Sequence, residues 1–351
     1  MKCNLLLSIL FGFFVIVTGC KKEDPIIPPT GYYPRQLTQD SLDNRAFLSP
    51  DGKYIAFYSM RYTYDPYVAG VIFELWMMSS NGFDQRRLIS GNSIFPETSP
   101  TFLCWDADSK SVIVQIDDGF YGNYSKSEIW RISIDGKSTQ LSAPNLRLQN
   151  VTYSPDREKI AYIIQGPNPK NGSPVYKLYI AIPDFTDSVR IEKGIINEYV
   201  WQGDSKGLIF SLYDRPNENH DIWKSKIDGT GKLRFSETPA SEVSLQCSTD
   251  GKYLAYSMDN SIYITTLDNL SPKMILSSAT NPEWIPNRNL LWVTNVITDG
   301  NRSSWGEKLF IDKEGTVIKR FPDITLGFSF SSTGKYFVYT LGANIWIDYL
   351  P

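Results

Sequence analysis

One segment returns seven times along this chain, and that repetition limits the possible folds more than any other feature. Each copy joins a short β-type segment, a tight polar turn and a second β-type segment, as in the stretch from Phe47 to Phe57. The six later copies start at Trp105, Tyr153, Trp201, Cys247, Trp284 and Phe330. A regular spacing of this kind predicts identical structural units stacked side by side.

A second pattern follows each copy, in which an aliphatic residue precedes an aromatic one and a turn dipeptide often comes next. The aromatic residues are Trp76, Trp130, Tyr179, Trp223, Tyr263, Phe310 and Trp346. The turn dipeptides are Asn81-Gly82, Asp135-Gly136, Asp228-Gly229 and Glu314-Gly315, a type that joins antiparallel strands. Each unit is therefore predicted to be two hairpins, a four-stranded antiparallel sheet of about 45 residues.

Seven such sheets predict an all-β, seven-bladed propeller, with rings of six or eight blades as alternatives. The recurring aromatic residues could form a stacking ladder for a ligand. Their fixed place in each unit favours packing of one blade on the next, because large apolar groups at equivalent positions fill such junctions.

The seventh copy ends one strand after Trp346, so its blade lacks an outer strand. The segment Tyr33 to Thr38 is similar to the outer strand of other copies, such as Arg86 to Ile89. We expect Arg35 to Thr38 to pair into the last blade and close the ring, since an open ring would expose unpaired edges. Residues 33–351 would then be a single domain.

The turn Ser49-Pro50-Asp51-Gly52-Lys53 before a hydrophobic strand resembles the repeat of the TolB-like propellers, relatives of WD-type propellers in Gram-negative bacteria. The resemblance covers about residues 33 to 351 and implies a periplasmic or surface protein. Copies three, six and seven depart from the motif, which leaves their turn geometry open. The N-terminal domain of TolB has no counterpart, so a role in the Tol system does not carry over.

The N-terminus has the layout of a signal peptide: Met1-Lys2, an apolar stretch of about 13 residues, and Val17-Thr18-Gly19-Cys20. It resembles a bacterial lipobox, which implies a fatty-acid anchor such as palmitate on Cys20. Residues 1–19 would be the signal peptide and residues 20–32 a flexible tether. We expect an outer-membrane lipoprotein that faces the periplasm or the exterior. An ordinary secretory signal or an uncleaved anchor helix is the alternative.

Charge and cysteine content exclude several functions. The net charge of −3 provides no basic field for nucleic acid. Cys104 and Cys247 lie three blades apart, too far for a disulfide, and are expected to be buried free thiols. Neither cysteine belongs to a CxxC pair, so we expect no metal site and no cofactor. We also expect the protein to be monomeric.

The strand order of such a blade sorts its loops by face. The second turn of each blade and the link to the next blade fall at one end, where several second turns are predicted to be long. Loops rich in Tyr, Trp and Arg supply binding energy at interfaces, so we expect a ligand-binding face at this end. The alternative is that the long turns are tolerated insertions whose aromatic residues fold onto the blade tops. The candidate binding residues are Arg61, Tyr62, Tyr64, Asp65, Asp117, Asp118, Phe120, Tyr121, Tyr124, Tyr213, Arg215, His220, Arg302 and Trp305.

The sequence offers little for catalysis, since His220 is the single histidine and no Gly-x-Ser-x-Gly elbow accompanies it. Asp65, Asp117 and Asp118 could form a carboxylate pair of the kind glycosidases use, or bind calcium. The favoured interpretation is a membrane-anchored module that binds a protein or glycan without catalysis. A carboxylate-dependent glycan-active enzyme on the same face, and a scaffold in an envelope complex, are the alternatives.

Overall fold

The computed structural model describes residues 33–61, 72–89, 100–117, 127–141, 148–167, 174–214, 216, 218–268, 271–299, 302–322 and 325–350. These residues form seven four-stranded antiparallel sheets arranged as a ring, which confirms the seven-bladed propeller. No helix in the described part of the chain is long and apolar enough to cross a membrane.

The strands of blades 1 to 4 are β2 Asp43–Leu48, β3 Tyr54–Arg61, β4 Ile72–Ser79 and β5 Arg86–Ile89; β6 Thr101–Trp105, β7 Ser111–Asp117, β8 Ser127–Ser133 and β9 Ser138–Gln140; β10 Leu148–Tyr153, β11 Ile160–Pro167, β12 Pro174–Ala181 and β13 Val189–Gly194; β14 Ile196–Trp201, β15 Gly207–Asp214, β16 Asn219–Lys226 and β17 Leu233–Arg234. Those of blades 5 to 7 are β18 Val243–Cys247, β19 Tyr253–Met258, β20 Ser261–Thr266 and β21 Lys273–Ser277; β22 Ala279–Trp284, β23 Leu290–Asp299, β24 Arg302–Asp312 and β25 Val317–Phe321; β26 Leu326–Phe330, β27 Tyr336–Leu341, β28 Asn344–Tyr349 and the N-terminal β1 Arg35–Gln36.

The first strand of each blade is its inner strand, and inner strands of neighbouring blades contact one another around a central channel. The N-terminal strand β1 is the outer strand of blade 7, where Arg35 pairs with Ile347 and Gln36 with Trp346. This pairing confirms the expected closure of the ring. Across the same seam, the N–H of Leu48 in blade 1 donates to Ser329 Oγ in blade 7 over 2.8 Å.

The core lies between the blades. Seven clusters of buried side chains each combine residues from two neighbouring blades. All seven recurring aromatic residues belong to these clusters or pack against them, which confirms their structural role. Burial of one such side chain contributes about 1.5–3 kcal/mol, so the repeated position stabilises every junction.

Three indoles also link neighbouring inner strands through hydrogen bonds. Trp105 Nε1 donates to the carbonyl of Phe47 over 3.0 Å, and Trp284 Nε1 donates to that of Gln246 over 3.1 Å. Trp201 makes the equivalent bond to Thr152 over 3.4 Å. The shared geometry fixes the register of these three inner strands against the preceding blade.

The first turn of every blade has the same backbone closure. An N–H donates to the carbonyl three residues earlier in all seven copies, from Gly52 to Ser49 in the first and from Gly334 to Ser331 in the last. Copy three keeps this bond although Arg157 replaces glycine and adopts a φ of 66°. The closing hydrogen bond therefore survives in the copies whose sequence departs from the motif, although in copy six the positive φ lies at Asn287 rather than at the donor Arg288.

Cys104 and Cys247 are free thiols in two different inner strands. Each residue is partly buried, and burial of the sulfur raises the pKa of each thiol to about 12.

Candidate functional site

The second strands of the blades end, and the inner strands begin, at one end of the ring, which we call the upper face. Arg61 and Asp117 are the last residues of β3 and β7 and therefore lie at this end. Tyr213 and His220 lie there in blade 4, and Arg302 and Trp305 in blade 6. Cys20, Tyr62, Tyr64, Asp65, Asp118, Phe120, Tyr121, Tyr124 and Arg215 lie outside the described residues, so their roles stay predictions.

Two of the second turns are shorter than the sequence predicts. Strand β15 runs to Asp214 and β16 starts at Asn219, so Tyr213 and His220 are cross-strand partners rather than loop residues. In blade 6, β23 runs to Asp299 and β24 starts at Arg302. The strand pairing therefore continues into two segments whose polar composition is typical of loops, as far as Asp214 with Asn219 in blade 4 and Asp299 with Arg302 in blade 6.

The rings of Tyr213 and His220 lie 5.2 Å apart at an angle of 59°. Burial lowers the pKa of His220 because a low-polarity surrounding disfavours the imidazolium, and the nearby Asp221 carboxylate opposes this only in part. The imidazole is therefore neutral at pH 7. It offers a ligand a flat, uncharged surface beside a tyrosine.

A charged network lies beneath this pair. Arg234 on β17 contacts Asp221 over 2.5 Å, Asp214 over 3.2 Å and Glu237 over 3.3 Å. The side chain of Asp221 has no exposed surface, so Arg234 compensates a buried charge.

The sequence contained a signal for this network. In blade 1, Glu74 lies two residues before the recurring aromatic, and Arg87 pairs with it at 3.0 Å from the outer strand. Asp221 and Arg234 occupy the same two positions of blade 4, since Arg87 and Arg234 both face the aromatic residue of the adjacent strand. Comparing the copies at these positions would have found the pair.

The hairpin of blade 6 is longer than the other described second hairpins, with strands of 10 and 11 residues. It carries two exposed apolar side chains, Trp305 at 72% and Ile297 at 51% exposure. Ile297 covers Gly306, where an added Cβ would come within 2.9 Å of its Cδ1 atom. Trp305 is paired with Val296 and Ile297 with Ser304, so the two exposed side chains lie on opposite faces of the hairpin.

The central channel contains a cavity of about 670 Å³ beside blades 2 to 5. Most of its lining belongs to the inner strands, and Gln115 lies near the end of β7, which places the cavity in the half of the channel nearer the upper face. The lining residues are Thr101, Phe102, Leu103, Gln115, Leu148, Gln149, Asn150, Val151, Thr152, Glu198, Tyr199, Leu245 and Gln246.

Each inner strand reaches the channel through a one-residue β-bulge. The bulge lies between Asn44 and Phe47 in blade 1 and between Ile196 and Glu198 in blade 4, and the other five blades match. A bulge bends the strand and redirects a side chain. Three residues before the end of the inner strand, the seven blades carry Arg45, Phe102, Asn150, Glu198, Ser244, Asn281 and Gly327.

Glu198 is the one charged residue among the described residues that line the cavity. Its carboxylate accepts backbone N–H bonds from Ser244 and Leu245 in the next blade, yet burial dominates and raises its pKa to about 7. Its Oε1 atom is buried and has no hydrogen-bond partner among the described residues. Glu198 carries no signal in the sequence, because no repeated residue type marks the position.

The carboxylate pair expected on the upper face depends on Asp65 and Asp118, which are not described. No group of three or more His, Cys, Asp or Glu side chains with metal-binding geometry occurs within the described ranges. The paired-acid hypothesis therefore stays a prediction.

No family model matches the sequence, and no curated protein matches it. Solved structures do match. An oligogalacturonate lyase in complex with manganese gives a TM-score of 0.65 at 14% identity, over 90% of this chain and 92% of that one. A puromycin-hydrolyzing peptidase from Mycobacterium tuberculosis gives 0.58 at 13% identity, over 81% of this chain and 47% of that one.

TolB from Acinetobacter baumannii gives a TM-score of 0.47 at 18% identity, over 77% of this chain and 64% of that one. This chain therefore spans less than two thirds of the length of that TolB. The two likenesses with TM-scores of 0.65 and 0.58 show, at these identities, the propeller fold alone.

Proposed function

We propose that this protein is an extracytoplasmic binding module, tethered to the outer membrane through a lipid on Cys20, that captures a protein or glycan on the upper face without catalysis. The observation that carries the proposal is the placement of an exposed tryptophan, Trp305, and a cavity with polar lining at the same end of the ring. Trp305 is 72% exposed on the blade 6 hairpin. Aromatic side chains on a fixed scaffold supply much contact area at small cost in conformational entropy.

Several residues support a binding surface on this face over a purely structural one. Tyr213 and His220 present paired rings in blade 4, and the pKa of His220 is lowered, so the pair adds no charge. The aromatic residues that pack the blades are already used in the junctions. Trp305 lies outside those clusters and has no role in the core.

A pair of matched substitutions tests the binding face. Phe83 is 70% exposed in the third turn of blade 1, at the opposite end of the ring from Trp305. We expect Trp305→Ala to reduce capture of envelope proteins or arrayed glycans at least tenfold and Phe83→Ala to leave it unchanged, with equal thermal unfolding of both variants. Equal capture by the two variants contradicts the proposal.

The anchor has its own test. Cys20→Ala should abolish metabolic labelling with a radioactive fatty acid and move the folded protein from the membrane fraction to the soluble fraction. Continued labelling of the Cys20→Ala protein contradicts the lipid assignment.

A further inference from the structure

The central cavity has a charge pattern that narrows the chemistry of its occupant. Its volume of about 670 Å³ is within the range of about 300–1,000 Å³ typical of small-molecule sites. The described lining contains one carboxylate, that of Glu198, and no Lys, Arg or His. A small anionic ligand would meet only like charge there.

The uncharged part of the lining is rich in amides and hydroxyls. Five uncharged polar residues that line the cavity together with Glu198 lie on the inner strands β6, β10 and β18: Thr101, Gln149, Asn150, Thr152 and Gln246. Such groups both donate and accept hydrogen bonds, so they suit a ligand with several hydroxyl groups. Phe102 adds an aromatic ring to the same wall.

Glu198 itself is incompletely satisfied. The backbone N–H groups of Ser244 and Leu245 bond to its carboxylate, but its buried Oε1 atom lacks a donor among the described residues. A buried polar atom without a partner costs free energy unless a ligand or water supplies one. Because Glu198 lines the cavity, a donor that also carries positive charge would form the strongest bond to its carboxylate.

We propose that this cavity binds an amino sugar, whose ammonium group pairs with Glu198 and whose hydroxyl groups bond to the surrounding amides and threonines. The inference deepens the proposed function and rests on it only for entry of the ligand from the upper face. A single carboxylate is a poor site for a bare divalent cation, which prefers six or more oxygen ligands or several acids.

The acid–base state of Glu198 provides a signature of direct pairing. Burial raises its pKa to about 7, so the carboxyl is partly protonated at neutral pH. An ammonium ion beside it favours the charged form. Binding of an ammonium ligand should therefore release a proton, whereas binding through hydroxyls alone should not.

The test is isothermal titration calorimetry on the full-length protein at pH 7 with glucosamine, glucose and ethanolamine. We expect glucosamine to bind at least tenfold more tightly than either comparison ligand, since glucose lacks the charge and ethanolamine lacks the ring hydroxyls. Repetition in two buffers of different ionisation enthalpy should show proton release with glucosamine. Equal affinity for glucose and glucosamine, or for ethanolamine and glucosamine, overturns the inference.

Variants connect this binding to Glu198. Glu198→Gln should lower the affinity for glucosamine at least tenfold, whereas Glu283→Gln should leave that affinity unchanged. Glu283 is the matched control because burial raises its pKa to about 7 as well, yet it lies on β22 and does not line the cavity. Unchanged affinity in Glu198→Gln overturns the inference.

A second variant covers the case in which Glu198→Gln does not fold. Thr101 is exposed at the start of β6 and lines the cavity, so Thr101→Lys adds a positive charge without removing a buried group. It should abolish glucosamine binding, and retained binding overturns the inference. The two proposals can fail separately. If Trp305→Ala loses capture but the unaltered protein does not bind glucosamine, the amino-sugar site is refuted and the proposed function stands.

Discussion

The N–H of Ile345 donates a hydrogen bond of 2.9 Å to Thr38 Oγ1, across 307 positions of sequence. Beside it, the N–H of Leu37 donates to the carbonyl of Ile345 over 2.7 Å. Thr38 is only 3% exposed. The seam between the two ends of the ring therefore depends on a few buried polar contacts as well as on strand pairing.

Replacing Thr38 by valine should lower the free energy of unfolding by about 2 kcal/mol, because a buried N–H loses its acceptor. Urea denaturation measures the loss. Thr139→Val is the control, since Thr139 lies exposed in the outer strand of blade 2 and should shift stability by less than about 0.5 kcal/mol. Equal effects at the two positions would argue against a special role for the seam.

Deletion of residues 33–40 removes β1 entirely and should leave the outer edge of β28 unpaired. We expect an unfolded or oligomeric product, detected by light scattering and circular dichroism. A stable monomer would contradict the closure argument.

Loss of Arg234 should destabilise the protein more than loss of Arg87, although the two arginines are equivalent in the repeat. Asp221 has no exposed surface, and Arg234→Leu leaves its charge uncompensated at a cost of about 3–5 kcal/mol. When Arg87 is replaced by leucine, Glu74 still accepts the hydrogen bond from the indole N–H of Trp76. The free energy of unfolding is therefore expected to fall by only about 1 kcal/mol. Thermal denaturation of both variants measures the difference, and equal losses would contradict it.

Stability should decrease as pH rises from about 5 to 8. Burial raises the pKa of Glu198 and Glu283 to about 7, and that of Asp43 to about 6. In the unfolded chain these groups titrate near pH 4, so between the two values the folded state binds more protons. The native state is therefore favoured at low pH, and this advantage is lost as pH passes 7.

His220 acts in the opposite direction, because its pKa is lowered and the unfolded chain binds its proton first. The double variant Glu198→Gln/Glu283→Gln separates the two effects. Urea unfolding at pH 5.5 and pH 8 measures how far the free energy of unfolding falls between the two pH values. In the double variant this fall should be smaller by on the order of 1–3 kcal/mol for each carboxyl removed. An unchanged pH profile would show that these carboxyls titrate normally.

Cys104 and Cys247 should resist alkylation in the native protein, because burial raises the pKa of each thiol to about 12 and the thiolate is the nucleophile. Iodoacetamide at pH 8 followed by peptide mass mapping should find both unmodified until urea is added. Modification of either residue before unfolding would contradict the described packing.

The sequence predicted those features that every blade shares. The aromatic residues from Trp76 to Trp346 recur because each junction needs a large apolar group at that point. The role of the N-terminal strand was predictable because the last copy lacks an outer strand, and residues 35–36 supply it. Both signals come from positions under the same packing constraint in all copies.

The channel was not predictable by the same reasoning. Glu198, Arg45 and Gly327 occupy equivalent bulge positions but have unrelated side chains, since none of them belongs to the described clusters that pack one blade on the next. Trp305 was assigned to a loop because its neighbours are polar, whereas pairing with Val296 holds it on a strand. Burial and pairing decide these positions, and neither shows in the local composition.

Strand β1 pairs with β28 and with no other described strand, which sets an order on assembly. A chain that is synthesised from its N-terminus presents β1 long before its partner strand β28 has been made. Blades 1 to 6 can fold as they appear, but the seam must wait for residues 344–349. During that interval the growing array of blades has two open ends, so a chaperone that shields strand edges would have its greatest effect on this protein just before synthesis is complete.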